Sequence, residues 1–200
     1  MKINFDNKMQ EEIETFKGIR KKILLHSCCG PCSTACIERL KENFEITVLY
    51  YNPNIEPREE YELRKSEQKR LLGILKVDYL DCDYDNERWR SITKPFSEDE
   101  EGERRCSVCF GIRLKYTAKM AKSLHFDYFG TTLTVSPHKN SAIINDIGDK
   151  IGNKVGIRFL FADFKKRDGY KRSIELARNY DLYRQDYCGC LYSKRWKDEE

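Results

Sequence analysis

An α/β fold built on a mostly parallel, Rossmann-like sheet flanked by helices is what this sequence predicts, from three observations. Short apolar or β-branched runs alternate with longer segments of helical periodicity, and such alternation favours parallel strands joined by crossover helices. The first run, KKILLHS (21–27), is bounded by charge and stops at Cys28-Cys29-Gly30-Pro31, which reads as a buried strand ending in a turn. Pro31 then stands where a first helical turn begins, ahead of STACIERLKEN with apolar residues at helical spacing. A proline suits that position because the N–H it lacks would have no partner inside the helix.

The remaining elements follow in order. FEITVLYYNP (44–53) is rich in β-branched and aromatic residues and completes a β-α-β unit. Asn54 and Pro57 open a long charged helix that closes with Leu71, Leu72 and Leu75, and VDYLDCDYD (77–85) is the third strand. The charge run SEDEEGERR (97–105) reads as an exposed loop. A helix over about 106–124 carries Leu114, Ala118 and Ala121 on one side. DYFGTTL (127–133) is the fourth strand, SPHKNSAIINDIGDKIG (136–152) contains a helix, and IRFLFADF (157–164) is the fifth strand. A last helix near 170–179 leads into a cysteine-bearing tail.

Composition bounds the function. Two hundred residues with 40% hydrophobic content suffice for one domain spanning 1–200. With 35% charged residues and a mean hydropathy of -0.74, no apolar run approaches the ~18 residues a spanning helix needs. MKINFDNKMQEEIETF lacks the apolar core of a signal peptide, so a cytoplasmic protein with no membrane partner is expected. Between 165 and 195 nine Lys or Arg face four Asp or Glu. That local excess is larger than the whole chain's +4, so either a nucleic acid docks there or the segment is a solvated basic face.

Nine cysteines are many for a reducing compartment, where cysteine clusters bind metal or do chemistry more often than they form disulfides. Three groups stand apart: Cys28-Cys29-Gly30-Pro31-Cys32, Cys106-x-x-Cys109 and Cys188-Gly189-Cys190. The first follows the first strand, where open α/β sheets collect ligands. Cys106 and Cys109 share one helix face, and a helix amino terminus favours thiolate. Gly189 frees the backbone to turn both neighbouring sulfurs inward. Adjacent side chains in extended backbone point to opposite sides, so Cys28 and Cys29 are expected to serve two neighbouring centres. Six thiols, Cys28, Cys29, Cys106, Cys109, Cys188 and Cys190, exceed the four of one tetrahedral zinc or one [4Fe-4S] cluster, which points to a second metal; the bland alternative is a zinc knot tying down the tail. Cys36 and Cys82 read as small buried hydrophobes. Cys32 is open between ligand, proton donor and helix start.

HSCCGPCS, CSVC, TTLTVSPHKN and YRQDYCGC, in this order and over nearly the whole chain, together resemble the QueH-type epoxyqueuosine reductases. The resemblance implies a fold similar to the PP-loop (HUP-like) enzymes and reduction of the epoxide of epoxyqueuosine to the alkene of queuosine at the wobble position of transfer RNA. It also implies a [4Fe-4S] cluster beside a separate mononuclear iron held by cysteines and an aspartate, and an electron-donor protein or other reductant. HSCCGPCS stands where PP-loop enzymes carry a glycine-rich, Asp-containing phosphate loop, but it has one glycine, no aspartate and three cysteines, which argues against ATP use.

Within that resemblance Cys106, Cys109 and two more of the six thiols hold the cluster, and the remaining two bind the iron with a carboxylate. Asp186, two residues from Cys188, is the first candidate for that carboxylate and for a catalytic role, with Asp81 and Asp83 as alternatives; Cys32 is the other catalytic candidate. Thr131, Thr132, His138 and Lys139 follow the fourth strand and can reach the substrate, unless Ser136 merely caps a helix there. Tyr183, Arg184, Gln185 and Tyr187 can stack on and hydrogen-bond a flipped-out base, or simply pack the tail. His26 is expected in the sheet core with both ring nitrogens satisfied. The competing readings are an ATP-dependent transfer RNA thiolase of the PP-loop type and a zinc-stabilised nucleic-acid-binding module.

Overall fold

A computed structural model describes residues 3–193. Five strands form one parallel sheet: β1 (Lys21–His26), β2 (Phe44–Leu49), β3 (Asp78–Leu80), β4 (Tyr128–Thr131) and β5 (Arg158–Phe159), in the order β3-β2-β1-β4-β5. Helices α1 (Phe5–Glu14), α2 (Gly30–Leu40), α3 (Arg58–Leu75), α4 (Asn86–Thr93), α5 (Arg104–Ser123), α6 (Ser141–Val155) and α7 (Gly169–Asn179) surround it.

The period-2 geometry of β1 explains the layers. Ile23 and Leu25 pack with Ile37 and Leu40 of α2 and with Met9 and Ile13 of α1. Leu24 points the other way, against Leu114, Ala118 and Ala121 of α5 and Phe129 of β4. Both faces are therefore covered, as a parallel sheet requires, and each such buried aliphatic side chain contributes about 1.5–3 kcal/mol. The chain moves outward through β2 and β3, then returns to the other side of β1 with β4. The order reverses between β1 and β4, and a crevice opens beyond the carboxyl ends of these two strands.

Helix α6 closes onto β5 through glycines. A Cβ on Gly148 would come within 2.4 Å of the Phe159 ring, so only glycine lets helix and strand approach this closely. Among the described residues no helix is long and apolar enough to cross a membrane.

Several expected boundaries move. The third strand shrinks from 77–85 to Asp78–Leu80 because Asp81 is drawn aside by Lys65 (2.6 Å) and Lys69 (3.0 Å) and the Cys82 thiol turns to the Tyr50 carbonyl (3.0 Å). The fourth strand ends at Thr131, whose hydroxyl accepts from the Leu133 amide at 3.2 Å and starts a 3-10 turn over Thr132–Val135. The fifth is only Arg158–Phe159; beyond it the Asn145 amide of α6 takes both backbone groups of Ala162, at 3.0 and 2.9 Å, in place of a strand partner. The stretch 97–105 is not wholly an exposed loop. Asp99 is buried and accepts from the Arg105 amide at 2.9 Å, and α5 starts at Arg104. Asn140, not Ser136, caps α6, accepting from the amides of Ala142 and Ile143. Helices α1 and α4 were not expected from the sequence; both are short and polar on their outer faces.

His26 ends β1 with no solvent exposure. The Tyr51 carbonyl, 3.1 Å from Nε2, can only accept, so Nε2 carries the proton and Nδ1 accepts from the Thr131 hydroxyl at 3.0 Å. Burial, reinforced by the positive charge of Arg113, lowers the pKa from 6.5 to about 3. The unfolded chain thus binds a proton near pH 6.5 that the folded chain refuses, and stability falls as pH drops from 6.5 towards 3, by about 1.4 kcal/mol per unit for this one group. Urea denaturation of the metal-free chain at pH 7 and pH 5 is expected to show that loss, and His26→Gln to flatten it; an equally steep slope in the variant would remove His26 as its source.

Candidate metal centre

The first group of thiols is positioned by the turn from β1 into α2. Ser27 anchors it: its hydroxyl donates to Gln68 Oε1 at 2.7 Å, and its carbonyl accepts from Asn52 Nδ2 at 2.8 Å. Cys29 is the amino-terminal cap residue of α2, in extended conformation, and Pro31 occupies the first turn. Here the expectation that Cys28 and Cys29 diverge is overturned. Their sulfurs lie 3.9 Å apart, and with Cys32 all three lie within 4.8 Å of one another. The chain is already bending into the helix, so the alternation of a strand does not apply, and Cys32 falls one turn on from the cap. The thiols of Cys29 and Cys32 donate to Cys28 and hold its pKa well below the usual thiol range. Cys29 is correspondingly pushed up to about 12, chiefly by that hydrogen bond to Cys28, and Cys32 is raised as well. Three sulfurs converging within 4.8 Å of one another are a ready donor set for a thiophilic cation.

The second group is assembled from two distant segments. Cys106 and Cys109 stand in the first turns of α5. The segment that carries Cys188 and Cys190 is held by Arg64 of α3, a guanidinium 1% exposed, which bonds Glu60 at 2.6 Å and donates to the carbonyls of Cys188 (3.1 Å) and Tyr187 (3.3 Å). The Glu56 amide adds a bond to the Gly189 carbonyl at 2.8 Å, and the Tyr187 hydroxyl donates to the Glu56 carbonyl. Gly189 has φ +125, and a Cβ there would lie 2.9 Å from Ile55 and 3.1 Å from Arg64, so the tail seats only with glycine. Cys109 and Cys190 then share a small apolar cluster with Trp89. The expected thiolate character at the head of α5 does not appear in the metal-free thiols. Burial raises Cys106 and Cys109, and the neighbouring sulfurs of Cys188, Cys109 and Cys190 add to it; Cys190 is raised for the same two reasons. Metal binding by such thiols would release their protons, so the site's affinity for a cation would rise with pH.

Both groups border one cavity of about 540 Å³ at the carboxyl ends of β1 and β4, lined by Cys28 and Cys32 of the first group and Cys188 of the second. His138, Lys139, Arg184, Gln185, Asp186 and Tyr187 also line it. Desolvation disfavours the Lys139 ammonium, but the sulfurs of Cys188, Cys28 and Cys32 outweigh it and keep the group charged far above neutrality. Gln185 spends its amide on the first group, Nε2 donating to the Cys29 sulfur at 3.0 Å. Thr131, Thr132 and Tyr183 do not border this cavity: the threonines are buried behind it, and Tyr183 donates to Glu60 at 3.0 Å on the outer face. Asp81, held by its two lysines, and Asp83 are likewise not among its lining. Cys36 is fully buried and Cys82 half-buried, in keeping with packing roles. A more open hollow of about 700 Å³ lies over the β5 edge between Glu12 and Phe161, and no cysteine lines it.

Two residues of this centre were missed from the sequence. Arg113 lines the cavity while 1% exposed, and Trp89 closes the far side of Cys109. The spacing held a signal for the first, since 106, 109 and 113 recur at i, i+3 and i+7 on one helix face; nothing in the sequence pointed to Trp89.

The geometry agrees with the comparisons. A family model described as epoxyqueuosine reductase QueH matches residues 23–196. An epoxyqueuosine reductase QueH of Streptococcus pyogenes serotype M1 is 41% identical over 97% of this chain and 79% of its own length. One of Staphylococcus epidermidis is 39% identical, over 96% and 85%. Among solved structures, the U34-tRNA thiolase NcsA of Methanococcus maripaludis with its [4Fe-4S] cluster superposes with a TM-score of 0.57 at 14% identity, covering 94% of this chain and 68% of that one; so distant a likeness speaks to the fold alone, the helix-flanked parallel sheet expected. On the family match across most of its length and the two relatives near 40% identity, the chain belongs to the epoxyqueuosine reductase QueH family.

Proposed function

We propose that this chain reduces the epoxide of epoxyqueuosine in transfer RNA to the alkene of queuosine, in the cytoplasm. The observation that carries the reading, beside family membership, is that the thiols of Cys28, Cys29 and Cys32 converge within 4.8 Å of one another and that Cys28 and Cys32 share one cavity with Cys188 of the remote tail. Cys106, Cys109, Cys188 and Cys190 match an all-thiolate [4Fe-4S] donor set. Cys28, Cys29 and Cys32, with the carboxylate of Asp186 across the cavity, form a mixed sulfur and oxygen set suited to a single ferrous ion. When bound, the cluster supplies electrons singly and an iron with an open position polarises an oxygen.

The balance is two electrons and two protons per epoxide, releasing the oxygen as water and leaving the carbon–carbon double bond. An external reductant or electron-donor protein supplies the electrons. Lys139 Nζ stays charged, so it offers a fixed N–H donor to the departing oxygen rather than a readily released proton. Gln185 orients the Cys29 sulfur. Tyr187 and Arg184 stand on the wall where a splayed base would enter, and His138 is exposed beside it.

Three outcomes are expected. Anaerobic incubation with a chemical reductant and epoxyqueuosine-bearing RNA yields queuosine by nucleoside mass analysis; transfer RNA-stimulated ATP hydrolysis without reduction would instead favour a thiolase. Cys106→Ser or Cys188→Ser loses the broad cluster absorption, whereas Cys28→Ser keeps it and loses about one iron per chain; the reverse pattern would exchange the two assignments. Asp186→Asn lowers iron content by about one and turnover by about 10²-fold or less, and parent values of both would remove Asp186 from the site.

A further inference from the structure

Arg113 is a buried, cavity-lining group that the foregoing chemistry leaves unused. It follows Cys109 by one helical turn on α5, and its Nε donates to the Cys109 carbonyl at 3.4 Å. Its Cζ lies 5.5 Å from the centre of the Phe110 ring, which packs in the same apolar cluster as Cys28 and Cys29. The side chain is 1% exposed and borders the cavity between the two sets of thiols. Its Nη2 is buried without a hydrogen-bond partner. A guanidinium is always charged and carries five donors, so an unspent buried N–H is costly unless an anion answers it.

We propose that Arg113 is a positioning residue that serves as the internal counter-charge of both thiolate groups and sets the potential at which the cluster bound by Cys106, Cys109, Cys188 and Cys190 accepts an electron. This rests on the iron–sulfur reading above. The sulfurs of Cys109, Cys188, Cys28 and Cys106 are the groups that offset the burial of this guanidinium. They come from both groups, which fits a residue placed between them. A cluster held by four thiolates is a net anion, and each added electron deepens that charge. A fixed cation in a dry site stabilises the reduced form more than the oxidised form and raises the potential. Because the Arg113 head group also faces Cys28, it keeps the two metal sites from repelling each other's thiolates across the cavity.

The test compares Arg113→Met, which keeps bulk and loses charge, with Arg113→Lys, which keeps charge, both reconstituted anaerobically beside the parent. Midpoint potentials come from dye-mediated titration followed by electron paramagnetic resonance, a readout that packing alone does not move in a charge-dependent way. The Met variant is expected to hold its electron at least tenfold more weakly, about 59 mV more negative for a one-electron couple, and the Lys variant to stay near the parent. A Met variant with parent potential, or a Lys variant displaced as far as Met, overturns the proposal. If the Met chain takes up no cluster, the Lys chain decides: cluster uptake by Lys supports a need for positive charge, and failure of both overturns the proposal, a lowered melting temperature of the metal-free chains then assigning Arg113 to packing. A parent protein that assembles no cluster would fail the iron–sulfur reading itself, which is a separate result.

Discussion

The buried ion pair of Arg64 and Glu60 is the constraint on which the centre depends. The described segment after α7 docks through Leu182 against Leu71 and Cys190 against Trp89, and its path between those anchors is set by backbone carbonyls. Arg64 supplies donors to two of them from the middle of a long, stable helix, with its charge answered by Glu60 one turn away. Losing one partner of such a pair leaves an uncompensated buried charge, at about 3–5 kcal/mol. That is enough to free the segment carrying Cys188 and Cys190, and with it half of the second thiol group.

Three arginines, Arg64, Arg105 and Arg113, are among the largest fully buried side chains. Each is tied to a cysteine-bearing segment. Arg105 gathers the carbonyls of Phe96, Ser97 and Asp99 and lies over the Tyr192 ring at 4.6 Å, fixing the approach to Cys106. Buried cations cost desolvation wherever they sit. Here they stand beside carbonyl oxygens and sulfurs, the two kinds of negative charge that a thiolate metal site brings into the interior.

The same topology explains what the first turn of α2 is for. In a doubly wound sheet the crevice beyond β1 is the natural ligand site, and a glycine-rich loop there cradles phosphate with backbone amides. This chain fills that place with Cys28, Cys29 and Cys32, the last two on the opening turn of the helix. The crevice therefore presents soft sulfur donors where such a loop would present N–H groups. Lys139 and Arg113 line the same cavity and supply the positive charge.

The order of elements, the parallel sheet and the identity of the chemistry were written in local pattern. β1, α2, β2 and α3 are legible because their hydrophobic periods are long and their ends carry Pro31, Pro57 and the cysteine turn, signals that act within a few residues. The ends of β3, β4 and β5 were not, because Lys65, Thr131 and Asn145 claim the backbone or the side chains there, and two of those three come from other elements. Which sulfurs come together was also beyond reach. Cys28 and Cys29 converge through a bend that a linear reading takes for a strand, and Cys188 is placed by a guanidinium more than a hundred residues away. Residue types and their spacing determined that this chain carries clustered thiols of the kind that bind metal; the grouping of those thiols, and the charge set among them, is decided by long-range contacts that exist only once the sheet has formed.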